Sequence, residues 1–140
     1  MSDSERVDQS AHRLTGGCLC GAVRYAAHGA LRNVVYCHCE QCRRTSGHYV
    51  AATNVADADL ELTTSDGLRW FDSSAAAKRG FCGLCGSSLF WKRLESDTIS
   101  VMAGSLDDKQ ALIADRHIFV DDKASYYAIN DGLPCFAQAD

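Results

Sequence analysis

Seven of the eight cysteines fall in three tight clusters, and this spacing limits the chain more than any other feature. Cys18 and Cys20 form a C-x-C pair, Cys37, Cys39 and Cys42 a C-x-C-x-x-C group, and Cys82 and Cys85 a C-x-x-C pair. Cysteines so close together make poor disulfide partners for each other and good joint ligands for one metal ion. A disulfide framework would also call for an oxidising compartment, and Met1–Gln9 is polar and charged, without the apolar core of a signal peptide. The chain is therefore expected to be cytoplasmic, with its cysteines binding metal. Thiolates are soft donors, and zinc in proteins is usually four-coordinate. The outer pairs supply four sulfurs, enough to close one site, whereas the central group supplies three and leaves a position open. A closed site reads as structural and an open one as chemical.

Glycine decides how the pairs combine. Gly21 follows Cys20 and Gly86 follows Cys85, each leading into an apolar strand. A left-handed glycine lets backbone amides turn towards a metal-bound sulfur, so two similar knuckles are expected to face one ion. The central group lacks that glycine and is followed by Arg43 and Arg44. Their charge would lower thiolate pKa values and attract an anionic ligand, or else forms an ordinary solvated face. Cys135 stands alone after Pro134.

A chain of 140 residues fits one domain with a respectable core. Its net charge of −4 argues against a broad nucleic-acid-binding face, and no apolar run is long enough to span a membrane. Residues 1–13 read as a loose tail and 14–140 as the domain. Thr15-Gly16-Gly17 reads as a turn delivering Cys18, and strands are expected near residues 22–26, 30–36, 49–52, 60–63, 68–71, 88–91, 98–102 and 116–120. One helical turn over Glu40–Ser46, stopped at Gly47, and a short helix over Asp107–Leu112 complete an all-β domain with very little helix.

Three motifs in order carry a resemblance: Gly17-Cys18-Leu19-Cys20-Gly21-Ala22-Val23-Arg24-Tyr25, then Cys37-His38-Cys39-Glu40-Gln41-Cys42-Arg43-Arg44-Thr45-Ser46-Gly47, then Phe81-Cys82-Gly83-Leu84-Cys85-Gly86-Ser87. Together with His117–Ser125, Tyr126-Tyr127 and Asn130–Pro134, they resemble the glutathione-dependent formaldehyde-activating enzyme family, which includes a centromere-protein-V-like branch. The resemblance runs from about Gly16 to Phe136. It implies a single-domain Mss4-like β fold with two zinc ions. Cys18, Cys20, Cys82 and Cys85 would hold the structural ion, and Cys37, Cys39 and Cys42 the catalytic one. The implied activity joins formaldehyde to glutathione as S-hydroxymethylglutathione, a carbon–sulfur lyase reaction run in reverse.

On that reading Arg43, Arg44, Lys78 and Arg79 are candidates for the two carboxylates of the tripeptide. His38 and His48 are candidates for moving the proton of the adduct, against the plainer reading of packing or partly exposed residues. His117, in a strand run, reads as a satisfied core histidine. Two other classes stay open: a zinc-stabilised binding module without chemistry, and an enzyme acting on another small thiol adduct. Cys135 or a histidine folding back onto the central group would favour the module.

Overall fold

In the computed structural model, which describes residues 13–139, ten strands form two sheets. The smaller joins β1 (Arg13–Gly17), β2 (Arg24–His28) and β5 (Leu60–Thr64), with β2 in the middle and both pairings antiparallel. The larger brings in β3 (Val34–Cys37), β4 (Val50–Ala56), β6 (Leu68–Asp72), β7 (Ala77–Cys82), β8 (Ser88–Arg93), β9 (Thr98–Met102) and β10 (Ala114–Ile118). Its spatial order is β10-β3-β4-β9-β8-β7-β6, with only the β10–β3 pairing parallel. The all-β, single-domain expectation holds, and the architecture is consistent with an Mss4-like fold.

Strand periodicity explains how one sheet serves two purposes. Successive side chains of a strand point to opposite faces. On one face, Val55, Ile99, Val101 and Phe90, joined by Leu89 at the bulge where β7 and β8 shift register, pack against Val23, Tyr25, Ala27 and Leu31 from the region of β2 and its flanks. Tyr25 meets Phe90 edge-on at 5.5 Å between ring centroids, and its hydroxyl bonds Ser105 Oγ at 2.6 Å. On the other face, Val50, Ala52 and Met102 pack beneath Cys42 of α1 (Glu40–Ser46). The main core thus lies between the sheets, and the second face is left for α1 and the central cysteines.

The α1 helix forms as its caps dictate. Cys39 is the N-cap and its sulfur accepts from the Cys42 N–H at 3.4 Å, while Gly47, at φ 88°, closes the last turn onto the Arg43 carbonyl.

Two local expectations are corrected. Thr15-Gly16-Gly17 is part of β1 rather than a turn. Gly16 is there because Tyr25 lies across it in the register, and a Cβ at Gly16 would sit 2.4 Å from the Tyr25 hydroxyl. Asp107–Leu112 forms no helix. Asp107 is taken by Arg24, through Nη1 at 3.0 Å and Nη2 at 2.5 Å, and by the Thr15 hydroxyl at 2.7 Å. Asp108 accepts from the Gln110 N–H at 2.9 Å, a local turn that competes with a helical start. Arg13, placed in the tail by sequence, stands in β1, and the remainder of that tail lies outside the described residues.

The Arg24–Asp107 pair ties the small sheet to the segment after β9. Hydrogen bonds from Arg24 and then Thr15 lower the Asp107 carboxyl to about 2. A carboxylate held below its unfolded value of ~3.9 contributes fully above that pH and is lost only as pH falls through the folded value. Asp107→Asn is expected to cost about 0.5–1 kcal/mol, given the half-exposed site and bidentate geometry. Melting temperatures of the two proteins should differ by the same amount at pH 6 and pH 8, where both states carry the full charge.

Candidate metal centres and cavity

The outer pairs come together as expected. Cys18 and Cys20 lie between β1 and β2, and Cys82 and Cys85 lie at the end of β7 and in the turn that follows. Gly21 and Gly86 take φ values of 86° and 82°, the left-handed backbone both knuckles require. The Val23 N–H donates to Cys18 Sγ at 3.2 Å and the Leu84 N–H to Cys82 Sγ at 3.4 Å. The turns are also laced together, since Ser87 Oγ accepts from the Leu19 N–H at 3.0 Å.

Sulfur spacing tests whether these residues fit a metal. Cys18 and Cys20 sulfurs are 3.7 Å apart, and those of Cys20 and Cys82 3.8 Å. A tetrahedron with metal–sulfur arms of ~2.3 Å has an edge of about 3.8 Å, so these two edges match a tetrahedral ion such as zinc, and all four sulfurs lie within 4.8 Å of one another. They are drawn from positions 18 to 85 of the sequence and join the two sheets.

The central group is built differently. Cys37 ends β3, Cys39 caps α1 and Cys42 lies in its first turn, with all three sulfurs within 4.8 Å of one another. Among the described residues no fourth cysteine, histidine or carboxylate joins them. Cys135 is exposed, its thiol donating to the Leu133 carbonyl at 3.6 Å. The cluster is strongly polarised. Hydrogen bonds from Cys37 and Cys42 hold the Cys39 thiol down to about 2, while bonding to Cys39 and Cys42 pushes Cys37 up. Three sulfurs this close together are a donor set that a soft cation would complete. Both clusters could hold metal ions.

The three sulfurs open into a cavity of about 480 Å³ on the second face of the large sheet. Pairs two residues apart line it, among them Val35 and Cys37, Val50 and Ala52, and Arg116 and Ile118. This is the volume range of small-molecule sites, and the mixture of apolar wall and few polar groups is typical of them.

Of the four cations named from sequence, Arg79 reaches the cavity and Arg43, Arg44 and Lys78 do not line it. Arg44 pairs with Glu40 at 3.1 Å across one turn of α1, and Lys78 lies 4.3 Å above the Trp70 ring. Arg79 is 8% exposed, with Nη2 3.8 Å from Cys42 Sγ and 3.4 Å from Gln41 Oε1. Its Nε is buried without a hydrogen-bond partner. A buried guanidinium is costly unless an anion balances it, and the cysteine sulfurs beside it would supply that charge as metal-bound thiolates.

His38 and His48 do not line the cavity either. His38 alternates with Cys37 and Cys39, and its buried ring bonds Tyr127 and His117 instead. Burial, then the neighbouring His117, Lys123 and His48, lowers it to about 4, so it is neutral at neutral pH. His117 is buried and fully partnered, as its strand position suggested. Sequence reasoning missed Arg32, Trp91, Arg116 and Met102, which also line the cavity. They lie on or beside different strands, and only the sheet order brings them together.

A family model described as glutathione-dependent formaldehyde-activating enzyme matches residues 13–122 of the chain. A crystal structure of a Rhodobacter sphaeroides protein is similar, with a TM-score of 0.58 and 22% sequence identity, over 86% of this chain and 98% of that one. That likeness speaks for the fold alone. No curated protein matches the chain.

Proposed function

The chain belongs to the glutathione-dependent formaldehyde-activating enzyme family, and from that premise we propose that it is a two-zinc enzyme joining a small thiol, glutathione first among candidates, to formaldehyde. The observation that carries this reading is the three-sulfur cluster opening into a cavity, with no fourth protein ligand among the described residues. A purely structural centre would have no reason to face a cavity of this size.

Cys18, Cys20, Cys82 and Cys85 would hold the structural ion, and Cys37, Cys39 and Cys42 the other. When bound, a zinc ion with three thiolate ligands would lower the pKa of a thiol at its free position while leaving the sulfur nucleophilic. The reaction forms one carbon–sulfur bond between the thiol sulfur and the formaldehyde carbon, and the thiol proton ends on the new hydroxyl. Arg79 would place positive charge beside the reacting sulfur and the Cys42 thiolate, favouring an anionic ligand there. The apolar walls from β3, β4 and β9 would strip water from the site and strengthen that attraction. Arg43, Arg44 and Lys78 remain candidates for the carboxylates of a ligand that extends beyond the cavity mouth.

The test is stoichiometry joined to ligand choice. Elemental analysis is expected to find about two zinc ions per chain, the central one leaving first to a chelator because three protein ligands hold it. By calorimetry glutathione should bind the two-zinc protein, and S-methylglutathione, which cannot form a thiolate, at least roughly tenfold more weakly, a difference of ~1.4 kcal/mol. Equal binding of the two, or none, would return the chain to the reading of a metal-stabilised module.

A further inference from the structure

We propose that Tyr127, His117 and Asp131 are positioning residues of the central cysteine cluster, forming a clasp through which the C-terminal segment locks His38 and the ligand loop Cys37–Cys39. The inference rests on reading that cluster as a metal site. It is carried by the geometry on the side of β3 away from the cavity. His38 lies between two of the three donors, is 1% exposed, and has every ring nitrogen engaged. Its Nδ1 meets the Tyr127 hydroxyl, its Nε2 lies 2.8 Å from His117 Nδ1, and His117 Nε2 lies 2.8 Å from Asp131 Oδ2.

The chain is anchored at its carboxylate end. A carboxylate only accepts, so His117 donates to Asp131 through Nε2–H. His117 Nδ1 and His38 Nε2 then share one hydrogen bond, and His38 Nδ1 and the Tyr127 hydroxyl share the next. Asp131, at the rim, thereby fixes the proton on His117 Nε2, and the chain of bonds holds two ring orientations. Tyr49 and Tyr127 flank the His38 ring, with centroids at 4.6 and 5.5 Å.

The segment that supplies Tyr127 and Asp131 is itself fastened. The His117 N–H donates to the Pro134 carbonyl at 2.9 Å, and the Phe136 N–H donates to the His117 carbonyl at 2.9 Å. Lys123 donates to the Tyr127 carbonyl and lies 4.3 Å from its ring centroid. On the other side, the His38 N–H donates to the Ile118 carbonyl at 3.1 Å. An apolar side chain at position 38 could fill the same space without a polar chain behind it. What the chain adds is a single permitted orientation, and buried polar networks do that when every member is satisfied. Partners that orient a ligand-bearing loop sharpen metal affinity without touching the metal.

Tyr127→Phe and Asp131→Ala, together and apart, test the clasp on the zinc-loaded protein without substrate. Chelator competition should show the central ion held about tenfold or more weaker in each single variant, with the outer ion and the melting temperature little changed. The double variant should lose less than the sum of the two, because either change breaks the same chain. An unchanged central affinity overturns the proposal, as does weakening of both ions in step with a falling melting temperature, which marks a general loss of structure. A wild-type protein holding one ion overturns the clasp together with the metal reading. If both ions bind and the variants loosen the central one while no thiol binds, the clasp stands and the enzymatic reading fails.

Discussion

Replacing Cys82 with serine is expected to lower the melting temperature by about 10–20 °C, and replacing Cys42 by less than about 5 °C. The asymmetry follows from where each sulfur sits. Cys82 is fully buried within the main core cluster beside Leu89 and Phe90, and its site joins the hairpin of β1 and β2 to that of β7 and β8. Losing a structural metal belongs to the short list of changes that cost more than about 4 kcal/mol. Apparent zinc-binding energies on the order of 10 kcal/mol in small zinc domains show how much such a site can supply. The intersheet core here is large enough for part of the fold to persist. Cys42 belongs instead to a small cluster with Val50 and Ala52 on the second face. Thermal melts of the two variants, each with its measured zinc content, check the order. A larger loss for Cys42→Ser would exchange the roles assigned to the two sites.

The features legible in the sequence were those fixed by short spacing. The C-x-C and C-x-x-C pairs, the glycines behind them and the Gly47 stop of α1 are local decisions, and each stands where the residues implied. The pairing of Cys18 and Cys20 with Cys82 and Cys85 could be read because four donors and two matching knuckles leave one economical arrangement. Asp107 shows where local reading stops. Its position suits a helix start, but Arg24 and Thr15, more than eighty residues earlier, take its carboxylate. Gly16 shows the same limit, because the demand for a missing Cβ comes from Tyr25 on the neighbouring strand. The cavity lies furthest from local reading. Trp91, Met102 and Arg116 are ordinary residues of three strands until the order β10-β3-β4-β9-β8-β7 lays them on one face. Arg79 could be named from sequence as a cation near a cysteine motif, yet its burial beside Cys42 rather than beside Cys82 is a fact of the sheet.

Cys42→Ser is expected to abolish glutathione binding and reduce formation of S-hydroxymethylglutathione by about a hundredfold or more, while the chain stays folded. The magnitude follows from what the central site would contribute. Stabilising charge on a reacting group through a metal is worth several kcal/mol, and each ~1.4 kcal/mol is a factor of ten in rate. With two cysteines left, Cys37 and Cys39 could not hold the ion firmly, and Arg79 would lose the sulfur it faces at 3.8 Å. Cys135→Ser is the matched control, because its exposed thiol is turned to the Leu133 carbonyl and stands outside both clusters. It should leave zinc content, thiol binding and rate unchanged. Cobalt in place of zinc makes the comparison optical. Adding glutathione should alter the sulfur-to-metal absorption of the wild-type and Cys135→Ser proteins and leave that of Cys42→Ser as it was. Release of the central ion by Cys135→Ser would mean that Cys135 completes a four-sulfur site in solution, and the open position on which the enzymatic reading depends would not exist.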